Sequence, residues 1–139
     1  MRRLEIPIIS LLILVLALGA IACGGNGGAV GSDPESTVRS VIKSMETRDV
    51  RTITSYCAEK PSDAEIQIMQ LSLDTVDSLR AYNITTNLIS QSGDEATVSF
   101  ECDYEATVLG ETESGHKSNT RDLVKIGDNW YITDCYLSL

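Results

Sequence analysis

Hydrophobic residues follow two periods along this chain: every three or four positions as far as about Leu79, and every second position after it. The first region opens with Asp33, a good helix N-cap, and Pro34, a good first helical residue. Val38, Val41, Ile42 and Met45 then form one stripe, which predicts a helix running to about Thr47. Asp49 caps a second, shorter helix through Cys57, with Val50, Ile53 and Tyr56 on its inner side. Ser62-Asp63-Ala64-Glu65 has the spacing of a capping box, in which the serine and glutamate side chains each satisfy a free backbone amide. In the third helix that follows, Ile66, Met69, Leu73 and Val76 recur at helical spacing, and Ile68, Leu71 and Leu79 widen the apolar face. So broad a face fits a helix enclosed on more than one side, or one that offers a partner surface.

The period then changes. Tyr82, Ile84 and Leu88 alternate with Asn83, Thr85 and Asn87, and Ser92-Gly93-Asp94 supplies a turn, predicting a strand and a hairpin. In the next strand the even-numbered residues from Ala96 to Val108 point one way, Phe100, Cys102 and Tyr104 among them, and the odd-numbered ones point the other. A strand of that length usually bends or carries a bulge. Residues 110–118 are polar and charged, which places a long hairpin tip there and the return strand at about 119–126. Gly127-Asp128-Asn129 is another turn, and residues 130–137, which bring Trp130 to the sheet, are the last strand. The pattern predicts a single α+β domain over residues 33–139, with three N-terminal helices packed on a curved four-stranded antiparallel sheet.

The chain before that domain has a different character. Residues 6–21 are apolar, interrupted only by Pro7, Ser10 and Gly19, and follow Arg2 and Arg3. The run is shorter than the roughly 20 residues a membrane-spanning helix needs, and its charged start and small-residue end suit a secretory signal rather than an uncleaved anchor. Ala20-Ile21-Ala22-Cys23 resembles the lipobox of bacterial lipoproteins, in which the cysteine thiol is acylated and the chain is cut just before it. Leucine is commoner in that family where Ala20 stands, and small Ala22 suits the peptidase. The alternative is an ordinary secretory signal with a chance cysteine. The resemblance implies a signal peptide over residues 1–22, then a lipidated Cys23 and a glycine-rich flexible tether over 23–32. It also implies a place in the bacterial cell envelope outside the cytoplasm, with the membrane as a partner through the acyl chains on Cys23.

Charge and cysteines add to this picture. The formal charge is −9, and losing two arginines and one glutamate with the signal takes it to −10. Such an acidic protein is not expected to hold nucleic acid or an anionic lipid surface, so membrane attachment has to be covalent or hydrophobic. After export, Cys57, Cys102 and Cys135 lie where disulfides persist. Three cysteines permit one internal bond in three pairings; a pair within the sheet, Cys102 with Cys135, is the expectation, and three buried thiols are the alternative. His116 is the only histidine and no close Cys or His pair exists, so neither zinc nor any other cofactor is expected.

The first helix with Asp49-Val50 and Ser55-Tyr56, the run Gly93-Asp94-Glu95-Ala96-Thr97-Val98, and Leu123-Val124-Lys125-Ile126 with Trp130-Tyr131-Ile132 carry a further likeness. On these residues the segment from Pro34 onward resembles a lipoprotein branch of the nuclear transport factor 2-like superfamily, a cone-shaped, cystatin-like α+β fold. The superfamily includes isomerases and dehydratases that work in a pocket between sheet and helices, and domains without known chemistry. The resemblance therefore implies a cavity, for which Tyr56, Tyr82, Phe100, Tyr104 and Trp130 are the candidate lining residues. An enzyme would need an acid or base aimed into it beside a group that stabilises developing negative charge. Tyr56, Tyr82, Tyr104, Asp122 and Asp134 are the residues that could serve, whereas His116 is expected in an exposed tip. Glu101, Asp103 and Glu105 form an acidic row that reads as the solvated side of the sheet. The expected function is non-catalytic binding of a small apolar ligand or an envelope partner protein. A small isomerase- or dehydratase-like enzyme, and a structural module that dimerises through the sheet face, are the alternatives.

Overall fold

The computed structural model describes residues 31–133. Helix α1 (Pro34–Ser44) starts where Asp33 Oδ1 accepts the Ser36 N–H at 2.8 Å, and it buries Val38, Val41 and Ile42. A single 3-10 turn (Met45–Thr47) leads to α2 (Val50–Thr54), capped by Asp49. Helix α3 (Asp63–Leu73) opens on the expected capping box: Ser62 Oγ accepts the Glu65 N–H, and the Glu65 carboxylate accepts the Ser62 N–H at 2.7 Å. Strands β1 (Val76–Ser92), β2 (Glu95–Val108), β3 (Glu111–Ile126) and β4 (Asn129–Ile132) follow in that order across one antiparallel sheet. The expected α+β architecture, with the helices preceding a four-stranded antiparallel sheet, is the observed one.

Several boundaries differ from expectation, and α2, expected through Cys57, stops at Thr54. The third helix stops at Leu73, and Val76 and Leu79 belong to β1, opposite Val108 and Ala106. Their three-residue spacing imitates a helix because β1 carries an extra residue between Val76 and Ser78, which returns both side chains to the buried face. Two more register shifts, at Tyr82/Thr85 and Leu88/Ser90, put the bending of the sheet into β1, while β2 pairs with β3 without a break. The hairpin between β2 and β3 is not a long polar tip. Leu109 (φ 51°) and Gly110 (φ 81°) form a two-residue connection with both φ values positive, the twist that joins neighbouring strands most closely. Residues 111–118 are therefore strand, and His116 faces β2 across the ladder rather than standing in a loop.

The core lies between α1, α2 and one face of the sheet. The even-numbered side chains of β2 line it as predicted, with Val98, Phe100, Cys102, Ala106 and Val108 buried and Tyr104 half-buried. Met69 and Leu73 of α3 reach the core, but Ile68 and Leu71 are 59% and 70% exposed, so α3 is not enclosed on more than one side. Short β4 is held from both flanks. Its Ile132 exchanges backbone hydrogen bonds with Tyr56 and Ala58 at the end of α2, and the Trp130 N–H donates to the Gly31 carbonyl at 3.3 Å. Only glycine fits at position 31, where a Cβ would lie 2.4 Å from Ser36 Oγ and 2.8 Å from the Thr37 nitrogen. Gly31, expected within the tether, is thus packed against the start of α1.

The disulfide expectation is corrected. Cys57 is disulfide-bonded, and Cys102 is a free, buried thiol. Cys102 stands opposite Lys117 in mid-sheet, whereas Cys57 forms a parallel bridge with Ile132 at the β4 edge. Cys135, Asp134, Cys23 and the signal and lipobox segment lie outside the described residues. Among the described residues no helix is long and apolar enough to cross a membrane.

Candidate functional site

The space bounded by Val38, Val41 and Ile42 of α1, by Met45 of the 3-10 turn and by Phe100, Arg121 and Ile132 amounts to about 10 Å³, room for about one water. Side chains have filled it: Phe100 is buried, and the Arg121 guanidinium lies 5.7 Å from its ring centroid. Trp130 is also core. Its carbonyl accepts the buried Thr37 hydroxyl at 3.3 Å, which ties β4 to α1.

The residues weighed for acid–base work are not brought together. Tyr56 is half-buried against the core at the end of α2. Tyr104 lies on the core side of β2 with its ring over Gly115, where an added Cβ would sit 2.3 Å from the phenol oxygen. Burial first, then the carboxylate of Glu113 and the Cys102 sulfur, push its hydroxyl above the ordinary tyrosine pKa, so near neutral pH it keeps its proton. Tyr82 and Asp122 are on the opposite, solvated face: Tyr82 pairs with Asp103, and Asp122 pairs with Thr97. Among the described residues no group of three or more His, Cys, Asp or Glu side chains could hold a metal ion.

That solvated face carries the arrangements the sequence did not disclose. Asp103 sits at the centre of a three-strand cluster, its Oδ2 accepting from Asn83 Nδ2 at 2.9 Å and its Oδ1 lying 2.7 Å from His116 Nδ1. Asn83 reaches it from the second bulge of β1, where its φ is 51°, a conformation asparagine tolerates better than most residues. The alternation of β2 places Asp103 outward, but the contact with His116 needs the β2–β3 register, which a hairpin tip at 110–118 would have hidden. The Asn83 and His116 hydrogen bonds hold the Asp103 carboxyl below the ordinary aspartate pKa. Its stabilising effect is therefore complete above the unfolded-chain aspartate value and is lost as pH falls through the lowered folded value. In a carboxyl-carbon NMR titration Asp103 should show a midpoint below that of a free aspartate, and Asn83→Ala should raise it. An unchanged midpoint in Asn83→Ala would remove the hydrogen bond as the cause.

At the far end of the same face, Ser90 of β1, Thr97 of β2, Asp122 of β3 and Thr133, the residue just after β4, form a row. With Ser92 and Glu95 they line an open hollow of about 390 Å³. The Thr97 hydroxyl donates to Asp122 Oδ1 at 2.8 Å, and the Thr133 hydroxyl donates to the Asp122 carbonyl at 3.1 Å.

No family model matches this chain, and no curated protein does. Among solved structures, the chain is similar to a Xanthomonas campestris protein assigned as a calcium/calmodulin dependent protein kinase II association domain. The two share 14% identity at a TM-score of 0.49, over 81% of this chain and 92% of that one. It is similar also to a Novosphingobium aromaticivorans protein assigned as a scytalone dehydratase, with 12% identity and a TM-score of 0.48 over 69% of this chain and 74% of the other.

Proposed function

We propose that this chain is a membrane-anchored lipoprotein of the bacterial envelope whose nuclear transport factor 2-like domain acts by non-covalent binding, its partner being an envelope protein. One observation carries the choice of partner: the space between α1 and the sheet is filled by the domain's own side chains and leaves about 10 Å³. A small apolar ligand has no room in that space, whereas the outer face of the sheet is open to recognition. The enzyme alternative is weakened by the separation of Tyr104 from Tyr82 and Asp122 on opposite faces of the sheet. A homodimer through an apolar sheet face is weakened too, because this chain's helices already cover that face. The lipobox supports the anchor, and an acidic domain has no electrostatic hold on an anionic membrane.

In cells fed a labelled fatty acid, the wild type should take up label and fractionate with membranes, while Cys23→Ala should lose the label and appear in the soluble exported fraction. A Cys23→Ala protein that stays with the membrane, beside an unlabelled wild type, would refute the anchor. Native mass spectrometry of the released protein should give the bare chain mass. A copurified apolar molecule would return the reading to an interior pocket.

A further inference from the structure

We infer that the hollow at the end of the solvated sheet face is a binding site for a neutral, polyhydroxylated ligand, a glycan chain. This goes beyond the proposed protein partner and does not depend on the anchor. The hollow, at about 390 Å³, falls in the size range of small-molecule sites, unlike the closed space under α1. Its lining selects the ligand. Beside Ala96 and Leu123, Ser90 and Ser92 present hydroxyls that can donate and accept, Thr97 and Thr133, whose protons go to Asp122, present hydroxyl oxygens that accept, and Asp122 and Glu95 present carboxylates that only accept. Neighbouring sugar hydroxyls meet such a set as donors to the carboxylates and to the threonine oxygens, and as either partner to the two serine hydroxyls. With two carboxylates and no basic side chain in the lining, the hollow repels phosphates and other anions.

Two further features fit a chain rather than a single sugar. Asp122 is held in place by the Thr97 hydroxyl through one oxygen, so the other is presented without a reorganisation cost. One step along the same face from Thr133, the half-buried Tyr131 stands opposite Val124, which pairs with Glu95, and supplies a flat ring beside the hydroxyl row. In the other direction the face continues as a ladder of short hydroxyls: Ser99 beside Thr120, Ser118 opposite Glu101, Ser114 opposite Glu105, and Thr107 bonded to Thr112 at 2.9 Å. An extended polymer can lie along this track while one residue of it fills the hollow.

The test is an amide NMR titration of the full chain carrying Cys23→Ala, with chitotetraose, cellotetraose and maltotetraose as probes and a glucose phosphate as the anionic control. At least one neutral tetramer should shift the amides of Ser90, Thr97, Asp122 and Thr133. Asp122→Ala should weaken that binding about tenfold, the loss expected for hydrogen bonds to a charged group. Ser90→Trp, an exposed position at the end of β1, should block the hollow and abolish binding. Spectra unchanged away from the hollow will show that both variants are folded. Absence of shifts with all three tetramers overturns the proposal, as do shifts centred on another surface or equal binding of the glucose phosphate. Wild-type affinity in both variants also overturns it.

Discussion

Trp130→Ala should lower the unfolding free energy by about 3–5 kcal/mol, the range for removing a large buried aromatic side chain and leaving part of its volume empty. The position is unfavourable to collapse. Trp130 lies on a four-residue strand whose backbone is fixed at both ends of the contact, its N–H on the Gly31 carbonyl and its carbonyl on the Thr37 hydroxyl. Neither the strand nor α1 can close onto the void without breaking those bonds. Single domains are stable by about 5–15 kcal/mol, so this one change removes a third or more of a typical margin. Urea unfolding followed by far-ultraviolet circular dichroism suits the measurement, since the variant lacks the chain's only tryptophan. Tyr131→Ala, next along the strand but facing outward and half-exposed, should cost less than half as much. A loss under about 1 kcal/mol in Trp130→Ala would show that β4 is not part of the cooperative core.

The order and type of the elements were legible in the sequence because each rests on a local rule. Asp33, Asp49 and Ser62 cap the helices they were expected to cap, and the alternation through β2 named the buried face. What misled were places where tertiary pairing changes the meaning of a spacing. The extra residue in β1 let Val76 and Leu79 pass for a helical pair. Polarity on both sides of residues 111–118 passed for a loop, because this part of β3 lies in open or half-buried surroundings and carries no apolar alternation. The interior pocket was an inference from resemblance alone, and side-chain packing decides whether such a space is filled. The outer clusters needed strand register: Asn83, Asp103 and His116 are separated by up to 33 positions, and no local pattern joins them. The hollow has the same origin, since its row draws side chains from three strands and from the residue after the fourth.

Breaking the disulfide of Cys57 should cost about 2–5 kcal/mol, the usual loss for a native bond in a small disulfide-bonded domain. The expectation follows from where Cys57 sits. Among the described residues, the end of α2 meets β4 through a pair of hydrogen bonds, from the Ala58 N–H to the Ile132 carbonyl and from the Ile132 N–H to the Tyr56 carbonyl, each 2.9 Å long. A covalent tie from Cys57 restrains the unfolded chain, so reductant and Cys57→Ser should lower the melting temperature alike. The free thiol behaves differently. Cys102 is buried, and that burial, with the neighbouring Asp103 carboxylate, raises its pKa, so little reactive thiolate forms in the folded protein. Iodoacetamide should leave Cys102 unmodified in the native state and label it in denaturant without reductant, while Cys57 is labelled only after reduction. A melting temperature indifferent to reductant would show that the tie adds no stability. Labelling of Cys57 in denaturant alone would show that the bond is absent from the protein in solution.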